Sequence, residues 1–143
     1  HHSPTPSIRS IADAVIEGAR SAAEDGVEIV VREALDATIE DVLAADGYLL
    51  GTPANFGYIS GALKHFFDTT YDDTHQATAR RPFSYWIHGR FDTTGAERAM
   101  QSITTGYKFK LAHEPLVFTG DVSEEHLGAA AELGATVAWT LTM

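Results

Sequence analysis

The sequence predicts one α/β domain over residues 1–143, with a doubly wound, five-stranded parallel sheet between two layers of helices. Two observations carry this. Short β-branched or aromatic runs alternate with helical patterns along the whole chain, and capping signals mark where several of the helices begin. A third observation modifies it: the chain enters its first helical pattern at once, so the first strand is missing or lies upstream of residue 1.

The elements follow in order. Ile8, Ile11, Ala12, Val15, Ile16 and Ala19 fall on one face of the opening helix. His1 and His2 read as the end of a preceding strand rather than as a tag remnant, because connections of about two to six residues are usual in such units. Val27 to Arg32 is a β-branched strand, and Thr38-x-x-Asp41 is a capping box for a short helix. Tyr48 to Thr52 is the next strand and Ile59 to Thr69 the next helix, with Ile59, Leu63, Phe66 and Phe67 on its packed face. Thr70 to Arg81 shows no periodicity and reads as a surface excursion. Pro82 to His88 is a strand. Thr94-x-x-Glu97 then caps a helix carrying Ala99, Met100, Ile103 and Tyr107, and Leu116 to Thr119 is the last strand. Asp121-x-x-Glu124 caps the final helix, with Leu127, Ala130, Ala131, Gly134, Val137, Ala138 and Leu141 inward.

Composition narrows the function. A net charge of −10 removes the basic surface that phosphate-backbone binding needs, so nucleic acid is not an expected partner. No run of about 18 apolar residues spans a bilayer and no signal segment opens the chain, so the expected location is cytoplasmic, away from membranes. Zero cysteines exclude disulfides, thiol nucleophiles and thiolate metal sites. The histidines show no metal-ligand spacing, and no metal is expected. Gly-x-Ser-x-Gly, Gly-x-Gly-x-x-Gly and Gly-x-x-x-x-Gly-Lys motifs are all absent from the sequence.

Three loops follow strand ends and converge on one edge of such a sheet. Ser3 to Ser7 is rich in hydroxyls at a helix N-terminus, where free N–H groups and the macrodipole favour a phosphate; plain capping by Thr5 or Ser7 is the simpler alternative. Thr52 to Tyr58 holds Pro53, Asn55, Phe56 and Gly57, and an aromatic in that position suits a flat ring. His88 to Thr94 adds Gly89, Arg90 and Phe91, although an arginine in such a loop is more often a solvated surface residue than a ligand anchor, and a structural role explains His88 as well as a functional one.

Gly51 to Gly57 followed by Ser60 to Asp68 resembles the second flavin loop and following helix of the flavodoxin-like FMN proteins. The similarity is greatest to the NAD(P)H:quinone oxidoreductases of the tryptophan-repressor-binding-protein type and the NADPH-dependent FMN reductases. It implies a flavodoxin-like fold with Ser3, Thr5, Ser7 and the Ile8 amide on the FMN phosphate. Pro53, Ala54, Asn55, Phe56 and Gly57 would border the isoalloxazine, and His88, Gly89, Arg90 and Phe91 would close its other side. FMN would be the cofactor, NAD(P)H the co-substrate, and a quinone or similar small molecule the electron acceptor. A flavodoxin-type electron carrier without its own NAD(P)H activity is the alternative. Surplus aromatics at Phe66, Phe67, Tyr71, Trp86 and Trp139 lead to the expectation of a homodimer or higher homo-oligomer.

Overall fold

A computed structural model of the chain describes every residue except 24 and 25. Helix α1, Pro6–Ala22, starts where Thr5 turns its hydroxyl onto the Ile8 N–H at 3.5 Å and Pro6 supplies a preset φ in the first turn. Its stripe Ile8, Ile11, Ala12, Val15 and Ala19 is buried, chiefly against α5, Glu124–Thr140. That crossing is close because both helices carry a glycine at the contact. A methyl group on Gly18 would strike the Ala131 carbonyl, and one on Gly134 would strike the Val15 carbonyl.

The sheet has a flavodoxin-like, mostly parallel form. Strand β1, Tyr48–Asn55, pairs in parallel with β3, Pro82–Gly89, in the register Tyr48 to Phe83 through Pro53 to His88. Two short pieces, β4 (Lys110–Leu111) and β5 (Leu116–Thr119), lie along the far side of β3, and β2 (Tyr58–Ile59) folds back antiparallel on β1. Side chains alternate across β3. Phe83, Tyr85 and Ile87 join one core beneath α3 (Gly61–Thr74) and α4 (Thr94–Tyr107), while Trp86 joins the other beneath α1 and α5. The Trp86 indole lies flat against Gly51, where any side chain would displace it. The short α2, Ile39–Ala44, carries the expected Thr38–Asp41 capping box, and Arg81 closes its other end by donating to the carbonyls of Leu43 at 3.0 Å and Ala45 at 2.6 Å.

Several expectations are corrected. Val27 to Arg32 is not a ladder strand, because only the Arg32 carbonyl reaches a neighbouring strand position, where it accepts from the His1 nitrogen. Residues 70–81 are not a surface excursion. Helix α3 runs on to Thr74, and Thr70, Thr74 and Thr78 are buried with each hydroxyl returned to the carbonyl four residues back. The helix also begins at Gly61 with Ser60 as its cap, not at Ile59. Helix α4 is capped without a Thr94–Glu97 box: Thr93 is the N-cap and Asp92 accepts the Thr94 N–H at 3.0 Å. The box that opens α5 is Ser123 with His126, two residues beyond the expected pair. Phe67 and Trp86 lie in the core and Phe66 and Tyr71 pack against it, so of the aromatics counted towards an interface Trp139 alone, 52% exposed, faces out strongly.

Candidate functional site

The second loop is a two-residue hairpin turn. Asn55 faces Tyr58 across β1 and β2, and between them Phe56 and Gly57 both take positive φ, 50° and 74°. That sign pattern matches the right-handed twist of the flanking strands, and it normally calls for Asn-Gly. Phe56 instead holds a bulky side chain in a conformation that costs roughly 1 to 2 kcal/mol, and its ring is fully exposed at 108% of the reference area. Packing does not explain a residue that is strained and solvated at once.

The third loop lies against this turn. Gly95, in the first turn of α4, sits so close that a β-carbon there would strike the Gly57 carbonyl. Gly89 brings β3 beside the hairpin, with a position for a β-carbon only 3.0 Å from the Ala54 methyl. Asp92 lies beside Gly57, and hydrogen bonds from Thr94 and Thr93 at the start of α4 hold its carboxyl below the usual carboxylate range. Arg90 is exposed and the Phe91 ring, 91% exposed, is the second uncovered aromatic of this edge. His88 donates from Nε2 to the Gly120 carbonyl at 2.6 Å, since a carbonyl only accepts, and its ring tilts against Phe118 at 4.8 Å. His126 stacks on the same Phe118, with ring centres 3.6 Å apart.

The first loop joins through β1, where the His2 N–H donates to the Gly51 carbonyl at 3.0 Å. Thr5 and Ser7 are exposed at the start of α1, as an anion site requires. Ser3 departs from the expected arrangement. It is buried, and its hydroxyl meets His1 Nδ1 at 2.7 Å rather than standing beside the helix N-terminus. Arg9, unremarked in the sequence, donates to the Ser3 carbonyl at 3.2 Å and places a cation beside the loop. Gly95 and Asp92 were also missed, and only the glycine in a helix's first turn could have pointed to them.

These residues fit a flavin mononucleotide. Two uncovered aromatics flank a shelf built by glycines that admit no side chain, and hydroxyls at a helix start with a nearby guanidinium suit a phosphate. A model of the NADPH-dependent FMN reductase family matches residues 7–120. The chain belongs to that family. A flavodoxin of Aquifex aeolicus (strain VF5) is 42% identical over 69 residues, a match that spans 48% of this chain and only 36% of that protein. Among solved structures, a flavodoxin, WrbA-like protein from Agrobacterium tumefaciens superposes with a TM-score of 0.77 at 21% identity, covering 99% of this member and 93% of that chain. A flavodoxin from the domain Archaea superposes with a TM-score of 0.78 at 13% identity, covering 99% and 94%. At those identities the likeness establishes the flavodoxin-like fold of this family member.

Proposed function

We propose that this chain binds FMN across the three loops and uses it to pass electrons from NAD(P)H to a quinone or similar small acceptor. The observation that carries the reading is the exposed Phe56 in its strained turn, which Gly57 seats against Gly95 of the third loop, in a member of the FMN reductase family. When bound, the flavin supplies the redox chemistry, and no protein nucleophile is needed. Phe56 and Phe91 wall the flat ring and keep water from it. Pro53, Ala54, Asn55 and Gly57 border one edge, and His88, Gly89 and Arg90 close the other. Ser7 and, after the Thr5 hydroxyl turns off the Ile8 N–H and the Ser3 hydroxyl off His1, Thr5, the Ile8 amide and Ser3 hold the phosphate. Asp92, ionised across the neutral range, fixes the start of α4 and so the shelf beneath Gly57. FMN is favoured over FAD because the helix start accommodates one terminal phosphate. A homodimer and a cytoplasmic location belong to the same proposal; no helix among the described residues is long and apolar enough to cross a membrane.

A second reading is a flavodoxin-type carrier. The net charge of −10 favours it, since acidic faces steer electron-transfer proteins towards basic partners, and so does the stretch shared with a flavodoxin. One experiment separates the two. The protein is loaded with FMN and titrated anaerobically with NADH and with NADPH. Direct bleaching of the yellow flavin supports the reductase, whereas a spectrum unchanged in excess of both nucleotides leaves the carrier. Failure to take up FMN at all removes both.

A further inference from the structure

Helix α1 opens with few donors to offer an anion. Of its first three residues, Pro6 has no N–H, and the Ile8 N–H is already taken by the Thr5 hydroxyl at 3.5 Å. The Ser7 N–H is the one of the three with no protein partner among the described residues. Even with the Thr5 hydroxyl turned away, two helix N–H groups face a phosphate that carries three acceptor oxygens and a charge near −2. The chain they belong to has a net charge of −10, which repels such an anion.

Arg9 supplies what the helix start lacks. It is exposed on the turn that follows, where side chains lean towards the helix N-terminus. An arginine on a solvated helix face pairs readily with an aspartate four residues on, and Asp13 stands there, also exposed. The same spacing is used on α3, where Lys64 and Asp68 meet at 2.7 Å. On α1 it is not. Arg9 makes no ion pair among the described residues, and its guanidinium turns back to donate to the Ser3 carbonyl at 3.2 Å. One nitrogen is engaged there, and the remaining N–H groups of the fork stay open. We propose that Arg9 is the residue by which this chain selects phosphorylated flavin: its guanidinium meets the FMN phosphate in place of the donor that Pro6 lacks, with the paired hydrogen bonds that suit phosphate oxygens. The bond to Ser3 holds the side chain beside the loop in advance, so less rotamer freedom is lost when the anion arrives. This rests on the flavin reading above and assigns to one side chain the discrimination of FMN from riboflavin.

The test is calorimetric titration of the flavin-free chain with FMN and with riboflavin, for the wild type, Arg9→Gln and Arg9→Lys. Both changes fall at an exposed position and leave the fold in place. Arg9→Gln should weaken FMN about 10- to 100-fold and leave riboflavin within about twofold. Arg9→Lys should restore part of the loss, because it keeps the charge and gives up the fork. The gap between wild type and Arg9→Gln should narrow as sodium chloride is raised from about 20 to about 500 mM, since salt screens an exposed charge pair. An FMN affinity unchanged in Arg9→Gln overturns the inference. Equal losses of FMN and riboflavin overturn it too, by making Arg9 a support of the loop. A wild type that binds both flavins equally overturns the phosphate contact while the flavin reading stands, and one that binds neither removes that reading with it.

Discussion

Phe56 joins a local strain to an exposed ring, and the two are separable by substitution. Phe56→Gly removes the left-handed strain and the ring together, so Tm should hold or rise while FMN affinity falls about tenfold, the worth of an aromatic contact with its burial. Calorimetric titration alongside a melting curve checks both arms. A variant that keeps its FMN affinity makes Phe56 a bystander. The sequence showed an aromatic on an apolar-poor loop followed by a flexible glycine, which was enough to single out the turn. Its φ was not legible, because phenylalanine carries no signal for left-handed backbone. The bond between the Ser3 hydroxyl and His1 was not legible for a related reason: it depends on the fold beyond the loop.

At the level of elements, close approaches of backbone decide the outcome. Gly18 and Gly134 let α1 and α5 cross with each glycine against the other helix's carbonyl, so Gly134→Ala should cost about 1 to 3 kcal/mol of overpacking. In a domain of this size that lowers Tm by roughly 4 to 12 °C in a scanning calorimeter. Gly95→Ala should act differently. Its methyl group would push the Gly57 carbonyl aside, so FMN binding should weaken more than Tm falls, with the losses read in the same two assays. Helix existence was legible from periodicity and ends were not. Thr70, Thr74 and Thr78 have poor helix propensity and read as a loop, yet their hydroxyls bond back along α3 and Thr70 meets Tyr107 at 2.8 Å. The boxes at α4 and α5 were misplaced because several polar residues precede each helix, and spacing alone does not choose among them.

Across the whole molecule, buried phenols link stability to alkaline pH. Burial pushes the Tyr107 hydroxyl from 10.0 up to about 12, and Tyr48 and Tyr85 are raised in the same direction by the same cause. Between those values the unfolded chain releases a proton that folded Tyr107 keeps. The stabilisation is therefore full below pH 10 and is lost as pH rises towards 12, at up to about 1.4 kcal/mol per pH unit. Urea midpoints at pH 9 and pH 11.5 should fall accordingly, and Tyr107→Phe should lose part of that slope. A wild-type midpoint that does not move would contradict the buried phenol. The layer order and parallel sheet were legible at this scale because alternating patterns dictate crossovers.

The glycine crossing of α1 and α5 also sets an order of events during synthesis. Helix α1 leaves the ribosome well before α5, and its buried stripe has its main partner in residues 124–140. At about 5 to 20 residues per second, Ile8, Ile11 and Val15 wait several seconds with their apolar face uncovered. A nascent chain arrested before residue 124 should therefore be captured by a chaperone that binds apolar helices, and one extended by a linker beyond residue 143 should escape it.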